Sequence, residues 1–375
     1  MVFVKEVQTK KQQSEFVKFP LKLYKNNPYF VPPLYGDEMA MFKKNYVYHD
    51  QCKSKFFLAY DENGKVVGRI HAILQQVANE KWGQKRIRFT RFDSIDSQEV
   101  ANALFAAVEN WAKELSMEEV VGPLGFSDLE REGLLIEGFD QLSTFEEQYN
   151  YDYYPALLEA CGYGKEIDWF EFRLRAPKTP NPMLGRVAQR ALELSHLHVV
   201  DSTKMSKKKY IQTYKDSFFE CLDECYRHLY GTVPFTESMK KQMIDQFILI
   251  LNKEYLVLVC DENERVVAFA LCIPGIGKAL QKSGGRLTLP AICKVLHSSK
   301  HPDTLDLGLI GVLPEYQNAG INAVMLAQLI EMLASGKVEY AETNLNLETN
   351  TQVMAQWKYF DATQHKRRRC YIKKI

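Results

Sequence analysis

The chain has 375 residues, of which 46% are hydrophobic and 25% charged. These proportions exclude a disordered chain and predict folding throughout, in about two or three domains. Lys and Arg total 48 against 47 Asp and Glu, a formal charge of +1, so no overall field recruits nucleic acid or an anionic membrane.

From the N-terminus, MVFVKEVQTKKQQSEF places charges among its first residues and does not read as a secretory signal. The first clear element is a hairpin at 56–74, FFLAYDENGKVVGRIHAIL, in which two β-rich runs flank a polar turn at Asp61-Glu62-Asn63. A β-rich run (86–95), a helical pattern from Val100 to Leu115 and a short strand at 120–122 follow. APKTPNP (176–182), with three prolines in seven residues, reads as a linker. Beyond it the series returns. YLVLVCDENERVVAFALCI (255–273) sets Asp261-Glu262-Asn263 on the first turn at an offset of 200. LDLGLIGVL (305–313), a helix from about Ile321 to Ala334 and a strand over 338–347 complete the copy.

The same elements in the same order predict two copies of one α/β unit, 1–177 and 178–375. The second carries an insertion at 274–304 that reads as a surface excursion with a helix near 290–297. Its Gly275-Ile276-Gly277-Lys278 lacks the spacing and the hydroxyl residue of a phosphate-binding P-loop. The longest apolar runs, FILIL (247–251) and VVAFALCIPGIG (266–277), fall short of the roughly 20 residues needed to span a membrane.

Between the strand at 305–313 and the helix from 321 lies PEYQNAGINAVML (314–326). A helix start offers unpaired N–H groups and the positive end of the macrodipole, and Gly320 removes a side chain where a diphosphate would approach. On local grounds this is either a phosphate cradle or an ordinary turn. Strand, Q-x-x-G-x-G/A, helix resembles the acetyl-CoA signature of the GCN5-related N-acetyltransferases (GNAT), with Gln317 and Gly320 matching in order and spacing. The resemblance covers nearly the whole second copy. It implies two tandem acyl-CoA N-acyltransferase (GNAT)-like domains, each a mixed, mainly antiparallel sheet flanked by helices. It further implies that the amides of Gln317, Asn318, Ala319, Gly320, Ile321 and Asn322 hold the CoA pyrophosphate, and that Ile310, Gly311 and Val312 receive the pantetheine arm. Asn322 departs from the pattern, which prefers Gly or Ala there.

The corresponding turn of the first copy, DSIDSQEVANAL (93–104), has no glycine and sets Asp93, Asp96 and Glu99 where phosphates would come, so this copy reads as degenerate. Its Asn150, Tyr153, Leu157, Leu158 and Gly162-Tyr163 still resemble the family's closing run. NNPYFVPPLYGDE (26–38) resembles an uncharacterised bacterial group of two-lobed acetyltransferase-like proteins.

Transfer from a thioester to an amine needs a base, a stabilised oxyanion and a proton for the departing thiolate. The family often places its tyrosine acid where this chain has Trp357. Tyr359 and then Tyr316 are the candidates instead, each alternatively an aromatic core or rim residue. Asp306 and Glu348 are the candidate bases. The implied activity is direct acyl-CoA-dependent N-acyltransfer, most simply of an acetyl group, to an amine entering between the lobes. A binding module that lost its chemistry and a Fem-like aminoacyl transferase drawing aminoacyl-tRNA through HKRRRCYIKK (365–374) are the alternatives.

That basic run reads more simply as the solvated face of a final strand, and the aromatic clusters at 149–154 and 357–360 as packing. Eight scattered cysteines predict reduced thiols and a cytoplasmic protein. Cys221 and Cys225 lack a second pair at zinc spacing, and His196 and His198 read as ordinary strand residues, so no metal is expected.

Overall fold

The two DEN turns are built alike in the computed structural model, which describes residues 1–179 and 181–375; Pro180 of the expected linker lies outside them. Asp61 Oδ1 accepts from the N–H groups of Asn63 (3.0 Å) and Lys65 (2.8 Å), and Asp261 Oδ1 from those of Asn263 (2.8 Å) and Arg265 (2.9 Å). In each a short carboxylate stands in for a backbone acceptor and fixes the reversal.

Around these hairpins the first copy runs β1 (Phe3–Glu6), α1 (Lys10–Leu23), α2 (Tyr35–Ala40), β2 (Cys52–Tyr60), β3 (Val66–Gln75), α3 (Gln76–Trp82), β4 (Arg86–Ser94), α4 (Gln98–Glu114), β5 (Glu119–Gly122), β6 (Leu134–Glu137), α5 (Tyr154–Ala160) and β7 (Gly164–Arg175). The second runs α6 (Pro182–Leu194), β8 (His198–Val199), α7 (Lys207–Tyr226), α8 (Glu237–Phe247), β9 (Leu256–Cys260), β10 (Val266–Pro274), α9 (Gly277–Gln281), α10 (Leu289–Lys300), β11 (Thr304–Val312), α11 (Ile321–Ala334), β12 (Tyr340–Thr343), β13 (Asn346–Leu347), α12 (Thr351–Met354) and β14 (Asp361–Lys374).

All strands join one sheet, in the order β1-β2-β3-β4-β5-β14-β7-β12-β11-β10-β9-β8, with β13 on β7 and β6 on β14. Pairing is antiparallel except between β4 and β5 and between β11 and β12. Each copy has its own core. The helix α4 buries Val100, Leu104, Phe105 and Val108 on one half of the sheet, and α11 buries Val324, Met325, Leu329 and Leu333 on the other. Each helix thus turns an apolar stripe to a strand face, which is the layered solution that α/β chains adopt.

The copies exchange their last strands. The first copy's β7 lies beside β12 of the second, and the second copy's β14 lies beside β5 of the first. The two exchanged strands pair with each other from Asp361↔Arg175 to Ile372↔Gly164. The sheet therefore runs unbroken through the expected division at 177/178.

The basic run lies on β14, and its alternation decides where each charge goes. Lys366 and Arg368 are 1% and 0% exposed. Lys366 Nζ reaches Glu171 (3.2 Å) and Glu342 (2.9 Å), and Arg368 Nε reaches Glu171 (2.6 Å). Arg367 and Arg369 turn to the opposite side and share Asp168. One side of the run, Lys366 and Arg368, is thus a buried ion network between strands and not a solvated face, while the Arg367 and Arg369 side keeps partial contact with solvent. The expected strand over 338–347 also divides. Asn346 Nδ2 bonds Thr343 Oγ1 at 2.8 Å, and Trp357 Nε1 donates to Asn346 Oδ1 at 3.1 Å, which holds the break between β12 and β13.

Candidate functional site

One extra residue opens the sheet. Leu271 of β10 faces Leu309 of β11 while the next residue, Cys272, faces Leu307, so Gly308 is a bulge. A bulge bends its strand and adds twist, and β11 pairs with β12 only from Thr304 to Leu307. Beyond that point its edge, including Ile310, Gly311 and Val312, has no strand beside it on the β12 side among the described residues. An open edge of this kind has backbone donors and acceptors for an extended ligand. Two side chains use them here. The Tyr226 hydroxyl accepts from Ile310 N–H (3.3 Å) and donates to its carbonyl (3.2 Å), and Gln317 Nε2 donates to the Val312 carbonyl (3.2 Å).

The segment after β11 is wound more tightly than a bare loop. Pro314–Ala319 forms a 3-10 turn, which directs N–H groups to carbonyls three residues back. Gln317, Asn318 and Ala319 are exposed, and Gly320 takes the left-handed conformation at φ 82°. A Cβ there would stand 3.4 Å from the Ala191 Cβ of α6, so glycine suits both the turn and the close approach of that helix. Ile321 and the half-buried Asn322 then begin α11 without a side-chain cap.

Beside the open edge lies a cavity of about 270 Å³ between the two copies. Its second-copy wall includes Tyr226, Leu271, Gly308, Leu309, Asn344 and Leu345, and its first-copy wall includes Glu130, Arg131, Glu132, Phe145, Glu146 and Glu147. The carboxylates are perturbed. Burial, reinforced by the charge of Glu147, pushes Glu146 up to about 8. Burial raises Glu147 to about 7 against the pull of Arg368, and it raises Glu132 well above the carboxylate range with Asp128 adding to it. Glu132 Oε1 and Glu147 Oε2 have no hydrogen-bond partner. Glu146 lies beside the bulge, its Oε2 3.7 Å from where a Cβ on Gly308 would be. Glu147 Oε2 still lies 3.5 Å from Arg368 Nε, whereas Glu132 and Glu146 have no cation within 4 Å among the described residues, and buried carboxylates so placed favour an incoming cation.

The first copy is closed at the equivalent place. Arg69 Nε pairs with Asp93 at 2.7 Å, Arg91 Nε with Glu38 at 3.0 Å, and Tyr24 and Tyr154 join their hydroxyls at 2.8 Å, with Tyr24 also on Asp93. Burial works against the Glu38 charge, yet Arg91 and Arg69 bring its pKa below the usual value.

The four residues expected to act chemically are scattered around this cavity without lining it. Asp306 is buried on β11 between Ile273 and Glu342, and burial, then Glu342 and Glu146, raise its pKa. Glu348 accepts from Lys165 Nζ (2.7 Å) and from the Asp168 N–H (3.1 Å). Tyr316 and Tyr359 pack, partly buried, against the second core. Trp357, at the family's tyrosine position, is buried and bonded to Asn346. Glu132, Glu146, Glu147 and Tyr226 were not anticipated. The available signal for two of them was FEEQYN (145–150), adjacent carboxylates just before Asn150. Glu171, Glu342 and His365 place ligand atoms within 4.8 Å of one another, but the Lys366 ammonium already bridges the two carboxylates.

No protein-family model matches the chain. It is 28% identical to Protein YghO of Escherichia coli (strain K12), over 96% of this chain and 92% of that protein. It is 24% identical to the bacterial ceramide synthase of Caulobacter vibrioides (strain NA1000 / CB15N), over 84% and 81% of the two chains. Among solved structures, a tandem GNAT protein from the clavulanic acid biosynthesis pathway aligns over 100% of this chain and 98% of its own, with a TM-score of 0.56 at 12% identity. The GCN5-related glucosamine N-acetyltransferase region of a fungal β-N-acetylglucosaminidase aligns over all of this chain and 38% of that one, also at 0.56 and with 10% identity. The chain has the tandem GNAT fold.

Proposed function

We propose that the chain is an acyl-CoA-dependent N-acyltransferase that moves an acyl group directly from the thioester to an amine held in the cavity between the copies. The observation that carries this reading is the coincidence of the open β11 edge with a carboxylate-lined cavity at one point, Gly308. The pantetheine arm would lie along Ile310–Val312, in place of the Tyr226 hydroxyl, and the diphosphate at Gln317–Asn322. The exposed turn and the side-chain-free Gly320 suit the latter. Among the described residues no helix is long and apolar enough to cross a membrane, and the reading places the protein in the cytoplasm, where it meets acyl-CoA.

An amine arrives as an ammonium ion, and Glu132, Glu146 and Glu147 favour its charge. Glu146, beside the bulge, takes the proton and leaves a neutral nucleophile. Its raised pKa suits it to exchange a proton near neutrality. Attack on the thioester carbon forms the C–N bond, breakage of the C–S bond releases the thiolate, and the nitrogen gives up its second proton as the amide forms, which restores the phenol that protonates the thiolate. Tyr226, displaced from Ile310 by the pantetheine arm, is, of the cavity phenols, the one on the β11 edge, and it hands the thiolate its proton. This assigns the base to Glu146 in preference to Asp306 or Glu348, and the acid to Tyr226 in preference to Tyr359 or Tyr316, because only the former of each set line the cavity.

The acceptor is an amine carrying an alkyl chain. A second, apolar pocket between α7 and α8 shares Met243, Phe247 and Leu271 with the cavity wall, and a ceramide is by its chemistry an N-acylated long-chain amine. Thermal shift with free CoA, acetyl-CoA and palmitoyl-CoA, followed by product analysis with long-chain and short amines, tests the reading. Stabilisation of about 2–3 kcal/mol is expected at 100 times the dissociation constant. No shift with any of the three would refute it.

A further inference from the structure

The 274–304 insertion has no counterpart in the first copy, and its chemistry is one-sided. No Asp or Glu stands between Glu264 and Asp303, while Lys278, Lys282, Arg286, Lys294 and Lys300 all fall in that stretch. The four lysines are exposed, and none has a carboxylate within 4 Å among the described residues. On α10, Ala291, Val295 and Ser299 face inward, and Leu289, Cys293 and Leu296 recur at i, i+4 and i+7 on the outer side. Leu289 is 80% exposed, and the preceding Leu287 is 46% exposed. With Leu296 at 37%, three exposed leucines fall within ten residues, a grouping rather than the single scattered leucine that surfaces tolerate.

The excursion is also anchored. Gln281 Nε2 donates to the carbonyls of Pro28 (2.8 Å) and Phe30 (3.1 Å), Tyr35 N–H donates to the Gly285 carbonyl (2.9 Å), and the Arg286 guanidinium stacks 4.1 Å over the Tyr35 ring. The segment it grips includes Pro33 and Leu34, which line the cavity. Residues 281–286 are thus tied to the segment that forms one cavity wall, and Leu287 and α10 follow directly after them in the chain.

We infer that this face, from Leu287 through α10, is a docking surface for an anionic lipid bilayer. Leucines interleaved with unpaired lysines are the composition of an element that lies in the headgroup plane, the apolar tips entering and the ammonium groups meeting lipid phosphates. Lysine stems bury their methylenes along the same surface while keeping the charge at the phosphates. A nucleic acid would use the lysines and leave the leucines exposed. Docking sets the cavity against the layer in which long-chain amines reside, but it does not depend on acyl transfer and is read without substrate.

The test is co-sedimentation of the full chain with phosphatidylcholine vesicles, with and without roughly 30% phosphatidylglycerol. The protein is expected to pellet with the anionic vesicles and to be released by about 0.5 M salt. Leu289→Glu with Leu296→Glu, and separately Lys294→Glu with Lys300→Glu, should each lower partitioning by about tenfold or more. Circular dichroism and melting should be unchanged, since these side chains are exposed. Failure to pellet with anionic vesicles overturns the inference, as does undiminished pelleting of both variants. Concentration-dependent self-association abolished by the leucine variant, without vesicle binding, would assign the face to a second copy of the chain and overturn it equally.

Discussion

The Tyr226 hydroxyl stands on the backbone of Ile310, accepting from its N–H at 3.3 Å and donating to its carbonyl at 3.2 Å. A single side chain thereby satisfies both backbone polar groups of Ile310 on the open edge of β11.

Tyr226→Phe should separate binding from turnover. With Ile310 no longer satisfied by the protein, CoA esters should bind several-fold more tightly, because one hydrogen-bonding group is worth about 1 kcal/mol net. Turnover should fall by about tenfold or more as the thiolate loses its acid. Calorimetry and single-turnover kinetics read the two effects, and weaker binding with unchanged turnover would contradict both assignments.

Glu146→Gln should cost about 100-fold in kcat/KM while leaving CoA affinity in place. A base acts only when deprotonated, so the wild-type rate should climb as pH rises through about 8. The variant should lack that limb, and a variant whose profile retains it would remove Glu146 from the role.

Glu132 carries a stability signature of its own. Its folded pKa lies above the unfolded one, so the folded state holds its proton more tightly, and stability falls as pH climbs beyond the unfolded value. Glu132→Gln cannot titrate. It should leave melting near pH 4 unaltered and stabilise the protein by roughly 1–2 kcal/mol at pH 8, as chemical denaturation at the two pH values would show.

Cutting the chain at 177/178 should yield two halves that aggregate alone, because residues 178–375 lack β7 and expose the edge of β12, while residues 1–177 lack β14 and expose β5. Co-expressed, they should purify as one complex. A monodisperse, folded 178–375 would refute the strand exchange.

The paired hairpins were legible because period-2 runs and an aspartate turn are local signals, and the same two hydrogen bonds recur at Asp61 and Asp261. The helix from Ile321 to Ala334 was legible for the same reason. What escaped was non-local. Nothing in HKRRRCYIKK says that Lys366 will meet Glu171 across a strand boundary nearly 200 residues away, and charge runs usually stay in water. Glu146 escaped because it comes from an irregular stretch of the first copy, whereas the sequence motifs drew attention to the second. The tight winding of Pro314–Ala319 was hidden as well, since a turn and an open loop share the same residue preferences.

The interleaving of β7 and β14 has a mechanical consequence. Halves sewn together by their own final segments could part like jaws only by breaking the β7–β14 ladder, so the side chains that line the chamber, Tyr226 and those of α8 among them, are the cheaper parts to move when a ligand enters.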